Sequence, residues 1–514
     1  MNGAESLVRT AHASGIDLCL ANPGTTEMQL VAALDAQPGL RAVLGLFEGV
    51  CTGAADGYAR MSGRPALTLT HLGPGFANGI ANLHNARRAR TPIVNVIGDH
   101  ARWHLEADAP LTSDIAGLAR PVSGWVRTTA QASELADDTA AAITAARTAP
   151  GQIATLIVPQ DCAWDPGPEP RTAAQPPAPP AVEEGQVAAA ADALGSGASG
   201  VLFLGGAALS ESCLRTAGRI AAHTGCALVH ETFYARLARG VGLPAVERLP
   251  YFPEQVIERL QGVSHLVCAG TAEPVAFFGY PDIPSRLTPE STALHVLARP
   301  EDDVASALEA LAERLGAPDG FEAVTPARPA LPTGELTVGA LGTTIAALQP
   351  EDCILVDEAA TSGLAYYALS DGAPRHDALS LTGGAIGQGL PTAVGAALAC
   401  PDRKVIAFQA DGSGMYTLQA LWTCARESLD VVVVVAANQA YRILQVELGR
   451  AGIAEPGAQA RSLTNLSHPE LDWVALSQGQ GVPAVRVDTA EALAGALQRA
   501  FAEPGPCLIE ARVS

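Results

Sequence analysis

Among 514 residues there is one lysine, Lys404. A pyridoxal-phosphate enzyme needs a lysine amine in a pocket, and this one stands at the edge of a strand pattern, Lys404 to Phe408, which suits that task poorly. No run of about 20 apolar residues is present. The longest candidate, Val431 to Ala437, has the length of a buried strand, so no membrane span is expected. The ten cysteines are scattered and include no C-x-x-C pair, which leaves them as buried apolar thiols rather than metal ligands or a disulfide framework. Basic residues number 32 against 53 acidic ones, for a net charge of −21. Such a surface repels phosphate backbones, so nucleic acid is not an expected partner. At the N-terminus Glu5 precedes any basic residue and no apolar signal core follows, which points to the cytoplasm.

What is present is a globular composition, 48% hydrophobic and 17% charged, long enough for about three domains at roughly 100–200 residues each. Two Pro- and Ala-rich stretches, Trp164 to Pro180 and Gly316 to Pro332, lack apolar periodicity and read as linkers. They separate expected domains at 1–163, 183–315 and 333–514. Within each, short β-branched runs alternate with Ala-rich helical stretches: Leu18 to Ala21, Ala42 to Leu46, Ala66 to Thr70 and Ile93 to Ile97 early, Gly200 to Leu204 in the middle, Cys353 to Asp357 and Val431 to Ala436 late. The expected fold class is α/β, three domains each a parallel-sheet β/α sandwich. Ligands in such sheets sit at the carboxyl ends of the strands, and the chemistry is sought there.

After the strand ending at Phe408 comes Ala410-Asp411-Gly412-Ser413-Gly414, and 27 residues beyond Asp411, at the end of the next expected strand, stands Asn438. A carboxylate and a carboxamide on neighbouring strand ends suit one hard cation. Mg²⁺ takes about six oxygens and keeps positions for a diphosphate and water. A helix expected from near Met415 would aim its N-terminus at the anion. Taken alone, D-G-S-G is equally a turn. A second carboxylate, Glu48, follows the strand Ala42 to Leu46 among Leu46, Phe47 and Val50 and precedes Ala55-Asp56-Gly57-Tyr58-Ala59-Arg60. Such an acid can shuttle protons or lie solvated at a strand end.

Together these elements resemble the thiamine-diphosphate enzymes of the acetolactate synthase, benzoylformate decarboxylase and pyruvate oxidase type, along the whole chain and in the order of pyrimidine-binding, middle and diphosphate-binding domains. The resemblance implies thiamine diphosphate and Mg²⁺ as cofactors, with Asp411, Asn438 and the Ala440 carbonyl on the metal, and Gly412, Ser413 and Tyr441 near the diphosphate. Ala410 stands where the family motif has its first glycine. Glu48 matches the acid that bonds the aminopyrimidine, Gly384 the carbonyl that takes its amine, and Ile386 the apolar wedge that bends the cofactor, though Ile386 is as readily plain core. Glu358 and Thr361 match cofactor-contacting positions.

Above the cofactor, Thr25 in Asn22-Pro23-Gly24-Thr25 matches a substrate-binding serine of benzoylformate decarboxylase, and His71 matches its pocket histidine. That enzyme's second pocket histidine has no counterpart in Glu273 to Tyr280. His100 and His104, with Arg102, form a cluster that could bind an anionic substrate or be a surface loop. Position 444 is leucine where pyruvate and indolepyruvate decarboxylases carry glutamate, which argues against those groups. The glycine turn Gly205-Gly206 lies where some relatives hold FAD or ADP, and FAD is not expected. The implied activity is a lyase or carboligase on a 2-oxo acid, decarboxylation first. The alternatives are an acetolactate-synthase-like carboligase or a non-catalytic scaffold. A homodimer or homotetramer with sites at the subunit interface is implied as well.

Overall fold

The computed structural model describes residues 1–323 and 326–513; Val324 and Thr325, in the second expected linker, and Ser514, at the end of the third expected domain, lie outside the described residues. The expected α/β class with parallel sheets is what the structure shows. The chain forms two compact units, one of Met1–Pro176, Arg328–Leu369 and Ser380–Ser514, the other of Pro177–Ala327 and Ser370–Leu379.

The first unit contains two parallel arrays. One runs Arg41–Leu44, Leu18–Asn22, Ala66–His71, Ile93–Asp99, Ile153–Pro159 and Trp125–Thr128 in spatial order. The other runs Ala484–Val487, Cys507–Arg512, Val431–Ala437, Val405–Ala410 and Cys353–Glu358. Val431–Ala437 is buried at every position, as its unbroken apolar run requires of a strand covered on both faces. In the second unit, five parallel strands run Glu247–Arg248, Ala227–His230, Gly200–Leu204, His265–Ala269 and Ala293–Ala298, and Leu237–Arg239 pairs antiparallel with His376–Ser380.

Several strands escaped the sequence pattern for one reason. Trp125–Thr128, Ala484–Val487 and Ala293–Ala298 are edge strands with half or more of their positions partly or fully exposed, so no continuous apolar run marks them. One expectation fails more pointedly. No helix starts near Met415: Asp411–Gly414 forms a single helical turn and the next helix is Ala420–Arg426. The backbone must turn sharply around Gly412 and Gly414, against Tyr441 and Trp473, before it can resume a helix.

The arrays of the first unit are joined by the helices Glu48–Ser62 and Gly389–Ala399, whose backbones touch. A methyl group on Gly57 would run into the Thr392 carbonyl, one on Gly395 into the Ala54 carbonyl, and one on Gly53 would lie 2.6 Å from Pro391 Cβ. Asp56 and Arg60, one helical turn apart and both buried, pair at 2.6 Å. The pair is fully bonded outward. Arg60 donates to the Ser380 carbonyl (2.8 Å) and to Thr382 Oγ1 (2.9 Å), while Asp56 accepts from Thr91 Oγ1 (2.6 Å) and Gln388 Nε2 (2.7 Å). Satisfying every partner is the condition under which a buried ion pair is tolerated.

Because backbone cannot yield as a flexible side chain can, Gly395→Ala is expected to lower unfolding free energy by about 3 kcal/mol. Gly185→Ala, at an exposed position in the first turn of the helix Glu184–Gly195 with open space around it, should raise it by up to about 1 kcal/mol. Urea denaturation of both variants checks this; equal midpoints would remove the tight helix contact from the account.

Candidate active site

The residues singled out from sequence gather at the carboxyl ends of the two arrays in the first unit. In the diphosphate-side array, Ala410 pairs with Ala436 in register, which brings Asp411 beside the turn at Asn438. Asp411 is buried, and its Oδ2 accepts from the Gln439 N–H (2.6 Å) and its Oδ1 from the Gly412 N–H (2.8 Å). Burial pushes its pKa up and these N–H groups pull it down. Asn438 Oδ1 accepts from the Ala440 N–H at 3.0 Å. Tyr441 lies across Gly412, where an added Cβ would stand 2.5 Å from Tyr441 Cε1, so the missing side chain leaves room for the ring. Among the described residues no three His, Cys, Asp or Glu side chains form a metal cluster. The available donors are one carboxylate, one carboxamide and backbone carbonyls, a hard oxygen set that fits Mg²⁺ completed by phosphate oxygens and water.

Glu358 ends the strand Cys353–Glu358 fully buried, and its carboxylate is committed to the chain. It accepts from the N–H groups of Gly387 (2.6 Å), Gln388 (3.2 Å) and Gly389 (2.6 Å) and from Gln409 Nε2 (3.0 Å). Within the chain it holds the turn that follows Ile386. Gln409 also donates to Ser413 Oγ (2.5 Å), so the Ser413 hydroxyl faces inward as well. Gly384, at φ +77 with open space around it, and half-buried Ile386 lie on the segment before that turn. Thr361 is half-buried just beyond the strand end.

On the other array, Glu48 opens its helix and is 9% exposed. Its Oε2 accepts from Asn78 Nδ2 at 3.0 Å, and its Oε1 packs against Gly75, where a Cβ would lie 2.9 Å from the oxygen and 3.3 Å from His71 Cβ. Glu48 and His71 thus flank the same bare glycine. His71 was foreseen, but its partner was not. Nδ1 of His71 lies 2.8 Å from Oε2 of Glu27, a carboxylate with no solvent exposure that also accepts from the Gly24 N–H (2.7 Å) and Thr26 Oγ1 (2.5 Å). Thr26, at 3.2 Å from His71 Nδ1, is the threonine that reaches the imidazole; Thr25 is exposed at the start of the short 3₁₀ turn. A glutamate three residues after Gly24 is a capping-box spacing, the signal that could have found Glu27.

Three non-glycine residues adopt left-handed backbone beside these groups: Leu72 (φ 52) after His71, Ala360 (φ 51) before Thr361 and Gln439 (φ 58) after Asn438. Strain of this kind, about 1–3 kcal/mol each, collects at functional sites. Of the His100 cluster, Arg102 is bonded to Asp161 at 2.7 Å and to the Ala130 carbonyl, while the His100 and His104 rings lie 5.4 Å apart. Exposed Arg102 is therefore anchored within its own array.

Gln439→Gly is expected to raise unfolding free energy by about 1 kcal/mol by relieving the left-handed backbone. The check is the urea midpoint of the cofactor-free protein. A lower midpoint would show that contacts of the Gln439 side chain outweigh the strain.

Comparison with known proteins agrees with this geometry. Residues 1–118 match the N-terminal thiamine-pyrophosphate-binding domain of thiamine pyrophosphate enzymes and residues 360–511 the C-terminal one. The chain is 51% identical to "Putative acetolactate synthase large subunit IlvX" of Mycobacterium tuberculosis over 99% of this chain and 98% of that one. It is 30% identical to benzoylformate decarboxylase of Pseudomonas aeruginosa over 96% of each. Among solved structures, the thiamine-diphosphate-dependent 4-hydroxybenzoylformate decarboxylase of Rhodococcus jostii RHA1 superposes with a TM-score of 0.89 at 25% identity, covering 100% of this chain and 99% of that one. With a binding domain at each end, Glu48 in one and Asp411 in the other, the chain belongs to the thiamine-diphosphate-dependent enzymes, catalysts of carbon–carbon bond cleavage or formation.

Proposed function

We propose that this enzyme uses thiamine diphosphate and Mg²⁺ to decarboxylate a 2-oxo acid to an aldehyde and CO₂. The observation that carries the reading is the Glu27–His71 pair. Converting a 2-oxo acid anion to an aldehyde and CO₂ breaks one C–C bond, forms one C–H bond and consumes one proton. A histidine whose Nδ1 is held by a buried carboxylate keeps Nε2 for that proton, and the fixed ring orientation removes the search for geometry.

When bound, thiamine diphosphate supplies a nucleophilic carbon that adds to the substrate carbonyl and takes up the electron pair freed as CO₂ leaves. Asp411, Asn438 and the Ala440 carbonyl would hold the metal, and Gly412 and Tyr441 would border the diphosphate. Thr361, Gly384, Ile386 and Ser413 belong to the same reading as lining residues. Glu48 would donate a hydrogen bond or proton to the aminopyrimidine ring, and Thr26 and Thr25 would border the substrate carboxylate. We infer also that the enzyme is a cytoplasmic homo-oligomer, dimer or tetramer, with each site completed at a subunit interface. FAD is not part of the reading. Over the Gly205-Gly206 turn stands the Glu231 carboxylate, which accepts from the Gly206 N–H at 3.1 Å and repels a phosphate there.

A second reading, an acetolactate-synthase-like carboligase, is favoured by the description of the 51% identical relative. It shares the cofactor residues and differs in passing the carbon to a second 2-oxo acid instead of a proton.

Turnover of a panel of aliphatic, aromatic and anionic 2-oxo acids, read as CO₂ with products identified, separates these. Cofactor-dependent CO₂ release with aldehyde as product is expected, Glu48→Gln lowering it by about 10²–10⁴-fold. His71→Ala should impair turnover more than cofactor affinity. An acyloin product selects the carboligase reading, and wild-type turnover by Glu48→Gln removes Glu48 from the mechanism.

A further inference from the structure

The helix Leu72–Ala89 presents one polar stripe to the site. His71, Gly75, Asn78, Asn82 and Asn85 recur at spacings of three and four, which places them along one helix face. Each has a defined task. His71 meets Glu27; Gly75 gives room to Glu48 Oε1; Asn78 donates to Glu48 Oε2 at 3.0 Å. Asn82 donates to the carbonyls of Gly49 (2.8 Å) and Gly387 (3.3 Å). Asn85 both donates to the Ala385 carbonyl (2.7 Å) and accepts from its N–H (3.1 Å), on either side of Ile386 with Asn82. Asn82 and Asn85 are buried and bonded to backbone, so they anchor the chain. Asn78 is exposed, and its amide is bonded to a carboxylate that the proposed mechanism uses.

We propose that Asn78 is a positioning residue for Glu48. Its amide fixes Oε2, so the carboxyl group cannot rotate about its last bond, and Oε1, lying over the bare Gly75, is the oxygen left for the cofactor ring. An exposed Asn contributes little to burial or packing, so its effect is confined to the orientation of this one carboxyl group. Among the described residues, the titratable groups beside Glu48 are His71, across Gly75, and Cys51, one turn along its own helix. Neither is described as bonded to the carboxylate, which leaves the Asn78 amide as the directional contact among the described residues. The inference rests on the reading of Glu48 as the acid that bonds the aminopyrimidine.

Two variants and two readouts test it. Asn78→Ala removes the donor, and Asn78→Asp keeps the shape but sets a like charge beside Glu48. In a crystal structure of cofactor-free Asn78→Ala, the Glu48 carboxyl is expected to turn away from its wild-type orientation. In the loaded enzyme, kcat should fall about 10- to 100-fold in Asn78→Ala and further in Asn78→Asp, since misplacement by about 1 Å can cost on the order of 10²-fold. KM and the dissociation constant for thiamine diphosphate, read by tryptophan fluorescence, should change less than threefold. An unmoved Glu48 carboxyl in the variant crystal overturns the proposal whatever the kinetics. So does wild-type kcat in Asn78→Asp while Glu48→Gln is impaired. Wild-type turnover by Glu48→Gln instead overturns the reading of Glu48 itself.

Discussion

The site depends on two helices being allowed to touch. Glu48 begins one of them and Gly389, three residues past Ile386, begins the other. Their contact at Gly53, Gly57 and Gly395 leaves no space for side chains, so the separation of the two helix starts is set by backbone, the stiffest part of the chain. The Asp56–Arg60 pair then adds direction to distance. Through Gln388, Thr382 and the Ser380 carbonyl it grips the segment that carries Gly384 and Ile386. Glu358 grips the same segment from the opposite array through three successive backbone N–H groups. A loop of glycines and small residues, flexible by composition, is thereby held from two sides, through its backbone and through the side chains of Thr382 and Gln388 at its ends.

The chemistry at the strand ends was legible in the sequence, because parallel sheets put ligands there and because Asp411, Asn438 and Glu48 each follow an apolar run. The polar partners were not. Glu27 lies in a short 3₁₀ turn, and Asn78, Asn82 and Asn85 look like any amides on a helix; only the folded chain shows what they face. Glu358 was legible only as a match to a cofactor-contacting position, whereas the bonds it makes to the backbone of Gly387 to Gly389 and to Gln409 depend on the fold. The missing helix near Met415 has a plain cause too. Apolar composition after Gly414 suggested a helix, but packing of Gly412 and Gly414 under Tyr441 and Trp473 bends the chain first.

Strain falls beside the candidate site residues. Leu72, Ala360 and Gln439 take left-handed backbone at the residue adjoining His71, Thr361 and Asn438. The rest of the fold must hold these against relaxation, and it does so with buried strands on either side, Val431–Ala437 throughout and Ala66–His71 at every position but His71. Buried sheets ending in strained corners aim a few side chains outward from a closely packed frame.

The second unit carries a different consequence. In it the Glu231 carboxylate answers the Gly206 N–H and stands 3.3 Å from Thr271 Oγ1, so the glycine turn has an anion supplied by the polypeptide itself. A fold of this kind that borrows its anion from a nucleotide ties its maturation to the supply of that nucleotide. One that encodes the anion in its own sequence can satisfy this turn as soon as the ribosome has delivered Gly206 and Glu231, while the unit as a whole closes only with Ser370–Leu379.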